Sequence, residues 1–205
     1  MPKLKFLLLA GMLMIPSLSS AEPVVTFRIE HYEVTGNTVA EIQRSVLART
    51  PVRSASGVFG GATRWNLETS YRTEPLPGGR CAVLDPKVFL EIKVTLPRLR
   101  PGNRITREAF AEWNRFLGAL RAHEKLHALN GKLTAETLER RMANLTTGFD
   151  CQKTKEVLDK SSRALIDQIS QRDVELDRST VHGRSQGAFL NMAVDHPRQA
   201  QTEPR

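Results

Sequence analysis

The sequence predicts an α+β fold, a small antiparallel sheet packed on helices. Three observations lead there. The first half of the chain alternates apolar and polar residues with period two, the second half carries apolar residues at helical spacing, and the strands precede the helices rather than alternating with them. A chain of 205 residues with 40% hydrophobic and 25% charged residues has enough apolar surface to bury one core.

Residues 1–21 stand apart from that fold. Lys3 and Lys5 precede the apolar run "FLLLAGMLMI", and Ser19 and Ala21 are small at the positions a signal peptidase reads. This layout predicts a secretory signal peptide cut after Ala21. Phe6 to Ile15 is far shorter than the roughly 20 apolar residues a spanning helix needs, so no stable membrane insertion is expected after cleavage. The mature chain is expected to be exported, either periplasmic or secreted.

Elements follow in order. "VVTFRIEHYEV" (24–34) is rich in β-branched residues and reads as a strand. "TGNT" turns the chain into "VAEIQRSVLAR", where Val39, Ile42, Val46 and Leu47 recur at helical spacing. "TPVRSASGVFGGA" is a Gly/Ser loop. Between Thr63 and Thr73, Trp65, Leu67, Thr69 and Tyr71 alternate with polar residues as in a half-buried strand. After the turn "EPLPGGR", residues 81–97 are extended again, with Val88, Leu90, Ile92, Val94 and Leu96 on one face. Thr106 is placed to cap a helix that runs to about Asn144, and Gly131 is expected to kink or divide it. Gly148 is expected as a C-terminal cap. A second helix covers Lys153 to Leu176, and "DRSTVHGRSQG" reads as turns. The predicted organisation is one domain over residues 22–192, with a strand-rich half (22–100), a helical half (101–192) and a disordered tail from 193 to 205.

The formal charge of +8 falls to +6 once Lys3 and Lys5 leave with residues 1–21. The basic residues are scattered, "RPGNR" and "ERR" being the densest clusters, and no aromatic residues interleave with them as a stacking surface requires, which argues against nucleic acid as a partner. The two cysteines, Cys81 and Cys151, have one possible pairing, and an oxidising compartment favours closing it. Zinc thiolates would need a CxxC-like spacing that these residues lack.

The chemistry concentrates in "RAHEKLHALNG" (121–131). His123 and His127 are four apart, so on a helix they share a face one turn apart and can converge on one zinc ion. Glu124, one step round the helix, can act as the general base and acid of a hydrolytic reaction on a metal-bound water. A catalytic zinc needs a third protein ligand. The extended pattern HExxHxxGxxH fails, because Asn130 and Leu133 stand where its glycine and third histidine would be. Of the other histidines, His196 lies in the polar tail and His31 in the first strand. His182, in the turn "DRSTVHG", is the preferred third ligand. Asp177 in the same turn is the alternative, as a ligand or as the acceptor that fixes the His182 tautomer.

Taken in order along the chain, "HYEVTGNTVAEIQRSV", "ATRWNLETSY" leading to "GGRCAV", "VTLPRL", "HEKLH" and "DRSTVHGRSQG" resemble a bacterial family of unknown function described as predicted secreted zinc-dependent proteases. The resemblance covers about residues 26–190. It implies a zincin-like fold with a long HExxH helix, His123, Glu124 and His127 at the zinc, and weight on Asp177 and His182. One departure is Leu176, where the family tends to have an aromatic residue. The expectation is a zinc metallopeptidase acting as a monomer on a peptide or protein substrate, with a non-catalytic zinc-bearing or metal-free cell-envelope binding module as the alternative.

Overall fold

Strand β5 (Arg80–Leu99) is the axis of the molecule, and the computed structural model, which describes residues 22–55 and 57–195, builds the rest around it. The expected signal peptide (1–21) and residues 196–205 of the expected tail, His196 among them, lie outside the described residues. β5 alternates buried and exposed residues in two phases. Cys81 and Val83 are buried on odd numbers, whereas Val88, Leu90, Ile92, Val94 and Leu96 are buried on even ones. A bulge reconciles them. Strand β4 (Ala62–Leu76) pairs antiparallel with β5, and the register jumps between Ser70↔Lys87 and Arg72↔Leu84, leaving Tyr71 opposite two residues. The extra residue, with Asp85 at a positive φ of 49°, turns both halves of β5 toward the same core.

The class is α+β as expected, but the sheet is mixed. Strand β1 (Val24–Val34) pairs in parallel with β5, giving the order β1-β5-β4, and short β6 (Thr146–Thr147) pairs with the start of β5. Parallel neighbours need a crossover connection. Helix α1 (Val39–Arg49) and the β4 strand provide it, with the small hairpin β2 (Arg53–Ser54) and β3 (Gly57–Val58) in the segment read as a Gly/Ser loop.

Of the two caps expected, Thr106 is observed and Gly148 is not, and Thr38 caps α1 as well. The Thr38 hydroxyl accepts from the backbone N–H of Glu41 at the start of α1, and the Thr106 hydroxyl accepts from that of Ala109 at the start of helix α2 (Arg107–Met142). Gly148 is not a cap. α2 ends at Ala143, Asn144 takes the left-handed conformation, and Gly148 precedes Asp150, the N-cap of helix α3 (Cys151–Thr180).

Two further differences shape the site. α2 runs through Gly131 without a break, because the glycine is there for contact rather than for a turn. A Cβ at Gly131 would stand 2.8 Å from Cγ of Trp65 on β4. α3 continues past Leu176 to Thr180 and ends where Val181 and His182 both take positive φ of 52°. Asp177 therefore belongs to a helix face and not to a turn.

The core lies between the sheet and α2, with Trp113, Phe116, Leu120 and Leu138 against Leu90, Ile92 and Val94, and α3 adds Leu158, Leu165 and Ile169. Cys81 and Cys151 form the expected disulfide, which ties the start of β5 to the first turn of α3. A 3-10 turn (Met192–Asp195) overlaps the start of the expected tail. The Asp195 carboxylate accepts from the backbone N–H groups of Val39 and Ala40, at the positive end of α1. Among the described residues, no helix is long and apolar enough to cross a membrane.

Candidate metal centre

Helical geometry puts His123 and His127 on one face of α2, and packing turns that face inward. His123 is 3% exposed, His127 6% and Glu124 4%, so these are not solvated side chains of a charged surface helix. Asp177, on the last turn of α3, meets them. Its Oδ1 lies 3.1 Å from Nε2 of His123 and 3.1 Å from Nε2 of His127, and the two Nε2 atoms are 3.3 Å apart. One ligand atom from each of the three residues falls within 4.8 Å of the others.

The outer nitrogens explain why the inner ones are free to bind a cation. Nδ1 of His123 donates to Oε1 of Gln186 at 2.9 Å, and Nδ1 of His127 donates to Oδ1 of Asp173 at 3.1 Å. Once Nδ1 carries the proton, a neutral imidazole presents a lone pair at Nε2. Two such lone pairs and a carboxylate oxygen converge on one point, an arrangement that repels itself unless a cation or protons occupy it. The shifted acidities express that demand. Burial pushes the His127 pKa down, but the Asp173 and Asp177 carboxylates outweigh it and raise it to about 10. Burial pushes the Asp177 carboxyl up, and the hydrogen bonds from His123 and His127 overcome this and hold it far below the usual carboxylate range. The residues present thus fit a divalent metal held by two imidazoles and one carboxylate.

Asp173 is the hub of the support. Besides His127 it accepts from Nε1 of Trp65 at 2.9 Å and Nδ2 of Asn130 at 2.6 Å, and these bonds keep it ionised against its burial. Trp65 is in turn seated against Gly131. Gly183 performs a similar service for His123. A Cβ there would stand 2.8 Å from the His123 Cγ, and its φ of +76° favours glycine.

Glu124 faces the sheet side of the same space. Its Oε2 accepts from the Thr63 hydroxyl at 2.9 Å, and burial raises its proton affinity above that of an ordinary glutamate although Thr63 pulls the other way. Gly61 leaves room for it, since a Cβ there would lie 3.2 Å from the Glu124 Oε1. The whole group opens into a cleft of about 650 Å³ that also exposes Phe59, Val181 and His182.

Of the two candidates for the third ligand, Asp177 is the one inside the converging group and His182 is outside it. His182 Nδ1 lies 3.4 Å from the other oxygen of Asp177, and its ring packs on Phe59 with centroids 4.1 Å apart. The cause is the extra helical turn of α3, which aims Asp177 at α2 and releases His182 only after the chain has left the helix. His31 is exposed on β1, and the Tyr32 hydroxyl is committed to the carbonyl of Gly60 at 2.7 Å. Asp173, Gln186, Trp65 and Thr63 surround the cluster, and none of them is a candidate from the sequence alone. For Asp173 a signal existed, its spacing of four from Asp177 on what proves to be one helix.

Comparison with curated proteins and with solved structures finds no match. A family model does match, over residues 29–183, a span that contains the whole cluster. The chain belongs to that family, described as bacterial protein of unknown function (DUF922).

Proposed function

We propose that the chain is an exported zinc metallopeptidase. The observation that carries this reading is the convergence of His123 Nε2, His127 Nε2 and Asp177 Oδ1 beside a buried glutamate, with both Nδ1 atoms already engaged. Two imidazoles and one carboxylate suit zinc better than magnesium or calcium, which prefer all-oxygen sites. Three protein ligands leave a position for water or substrate, and the cleft gives access to it.

When bound, zinc supplies a Lewis acid that polarises a peptide carbonyl and makes a water acidic near neutral pH. The protein's own residues do the rest. Glu124 takes the proton of the attacking water on its free oxygen and passes it to the leaving amine. A carboxylate whose proton affinity is raised by burial is suited to holding that proton between the two steps. Thr63 fixes the carboxylate in place. Asp173 and Gln186 hold the imidazoles in the tautomer that leaves Nε2 free. The disulfide between Cys81 and Cys151 accords with export to an oxidising compartment.

Two variants test the reading. Wild-type protein should carry one zinc per chain, which His127→Ala should lose. Glu124→Gln should keep the zinc and lose cleavage of a peptide library that the wild type digests. A zinc-loaded wild type that cleaves nothing would leave a binding module in place of a peptidase, and a wild type that takes up no zinc would remove the metal reading altogether.

A further inference from the structure

The β1 edge is built in a way that isolated sheet edges usually avoid. β1 is an eleven-residue strand paired on one side only, and its register with β5 runs from Val24↔Phe89 to Val34↔Leu99 without a bulge. It contains neither proline nor glycine, and no described strand covers its outer side. Natural proteins blunt such edges with bulges, prolines, inward charges or short length, because the free N–H and C=O groups template another strand.

Its face is equally unfinished. Val25, Phe27 and Ile29 stand in register with Leu90, Ile92 and Val94, so they belong to the core side of the sheet. The β5 residues are at most 5% exposed, yet Val25 is 42% exposed, Phe27 55% and Ile29 47%. Helix α2 covers β5 and β4 and leaves this strip open.

The charges on the opposite face indicate what pairs with it. Arg28 is paired with Glu91 and Glu30 with Lys93. If a second β1 runs antiparallel about a two-fold axis at Ile29, Arg28 falls opposite the copy's Glu30 and Glu30 opposite its Arg28. Ile29 meets Ile29, and Phe27 meets His31. Opposite charges directly across a ladder stabilise it, and an isologous interface repeats each favourable pair twice. With the axis normal to the sheet, both apolar strips lie on the same side and join end to end at Ile29 into one longer strip, with Phe27 against His31 and Val25 against Glu33 on either side. Moving the axis to Phe27 or His31 sets Arg28 against Thr26 or Glu30 against Tyr32, and the complementarity is lost.

We propose that two copies of this chain associate through β1, antiparallel and centred on Ile29, into one continuous sheet. This goes against the monomer expected from the sequence, and it uses none of the metal chemistry proposed above, so either can fail alone.

The test is the mass of the mature chain in solution, followed by light scattering across the micromolar range. The mass should rise from one chain to two with concentration and should not change when zinc is chelated. Ile29→Lys places like charges on the axis and should hold the mass at one chain, with the melting temperature of the wild type at high dilution and no dependence on concentration. Arg28→Glu, which sets acid against acid twice, should do the same and serves if Ile29→Lys does not fold. Under mild oxidation Ile29→Cys should give a covalent dimer, whereas Arg28→Cys should give far less, because position 28 faces position 30. A mass of one chain at every concentration overturns the proposal, as does a dimer indifferent to both charge variants. Equal cross-linking of the two cysteine variants overturns the register.

Discussion

Asp173 and Asp177 stand one turn apart on α3 and take opposite sides of the same imidazole. Asp173 accepts from Nδ1 of His127 at 3.1 Å, and Asp177 lies 3.1 Å from its Nε2. One carboxylate orients the ring and the other joins it in the converging group. They should therefore fail differently. Asp177→Asn should abolish stoichiometric zinc. Asp173→Asn should retain zinc but weaken it about 10- to 100-fold, the usual cost of an outer partner. Competition with a chromophoric chelator measures both. Equal affinity for the two variants would contradict the division of roles.

The pH dependence has a definite sign. In the metal-free chain the His127 pKa is raised from 6.5 to about 10. A raised pKa contributes stability that is full below about 6.5 and is lost progressively as pH climbs toward 10. Asp177 is shifted the other way, so its contribution is present above the ordinary aspartate range and lost only in strong acid. The melting temperature of the metal-free protein should thus fall between neutral pH and pH 10, and His127→Gln should flatten that slope. A zinc ion held at Nε2 would have to compete with the His127 proton, so its apparent affinity should rise with pH over the same interval.

Gly131→Ala sets two effects against each other. Helix propensity favours alanine by about 1 kcal/mol in a helix interior. The new Cβ would meet Trp65 at 2.8 Å, and neither the α2 backbone nor a ring bonded to Asp173 can withdraw freely. Overpacking of this kind costs about 1–3 kcal/mol. The clash should win, lowering the melting temperature and weakening zinc binding as well. A more stable variant with unchanged zinc affinity would show that Trp65 is not a support of the site.

The disulfide should govern stability more than chemistry. Cys81 and Cys151 close a span of 70 residues, for which chain entropy predicts about 4 kcal/mol. Cys151 opens α3, whereas Asp177 lies in its last turn. Cys81→Ser with Cys151→Ser should lower the melting temperature strongly while leaving zinc affinity nearly unchanged below the new transition.

Local patterns were legible where local physics decides. The bounds of β1 follow from its β-branched residues and those of α1 from period-3.6 patterning, and the Thr106 cap and the Cys81–Cys151 pair follow from residue type. What escaped depends on distant contacts. No periodicity tells β1 to run parallel to β5. Gly131 reads as a kink until Trp65 is seen against it. "DRST" has the composition of a turn, yet it finishes α3, and that single extension puts Asp177, not His182, in the converging group. Asp173 escaped because it stands among other polar residues of a helix, while its partners Trp65, Asn130 and His127 come from two other elements.

X-ray absorption at the zinc edge of the purified wild-type chain reads the coordination of the centre. A first shell of two imidazole nitrogens and carboxylate or water oxygen at about 2.0–2.2 Å is expected. A shell of three imidazoles, a sulfur ligand, or the absence of stoichiometric zinc would contradict a centre built from His123, His127 and Asp177.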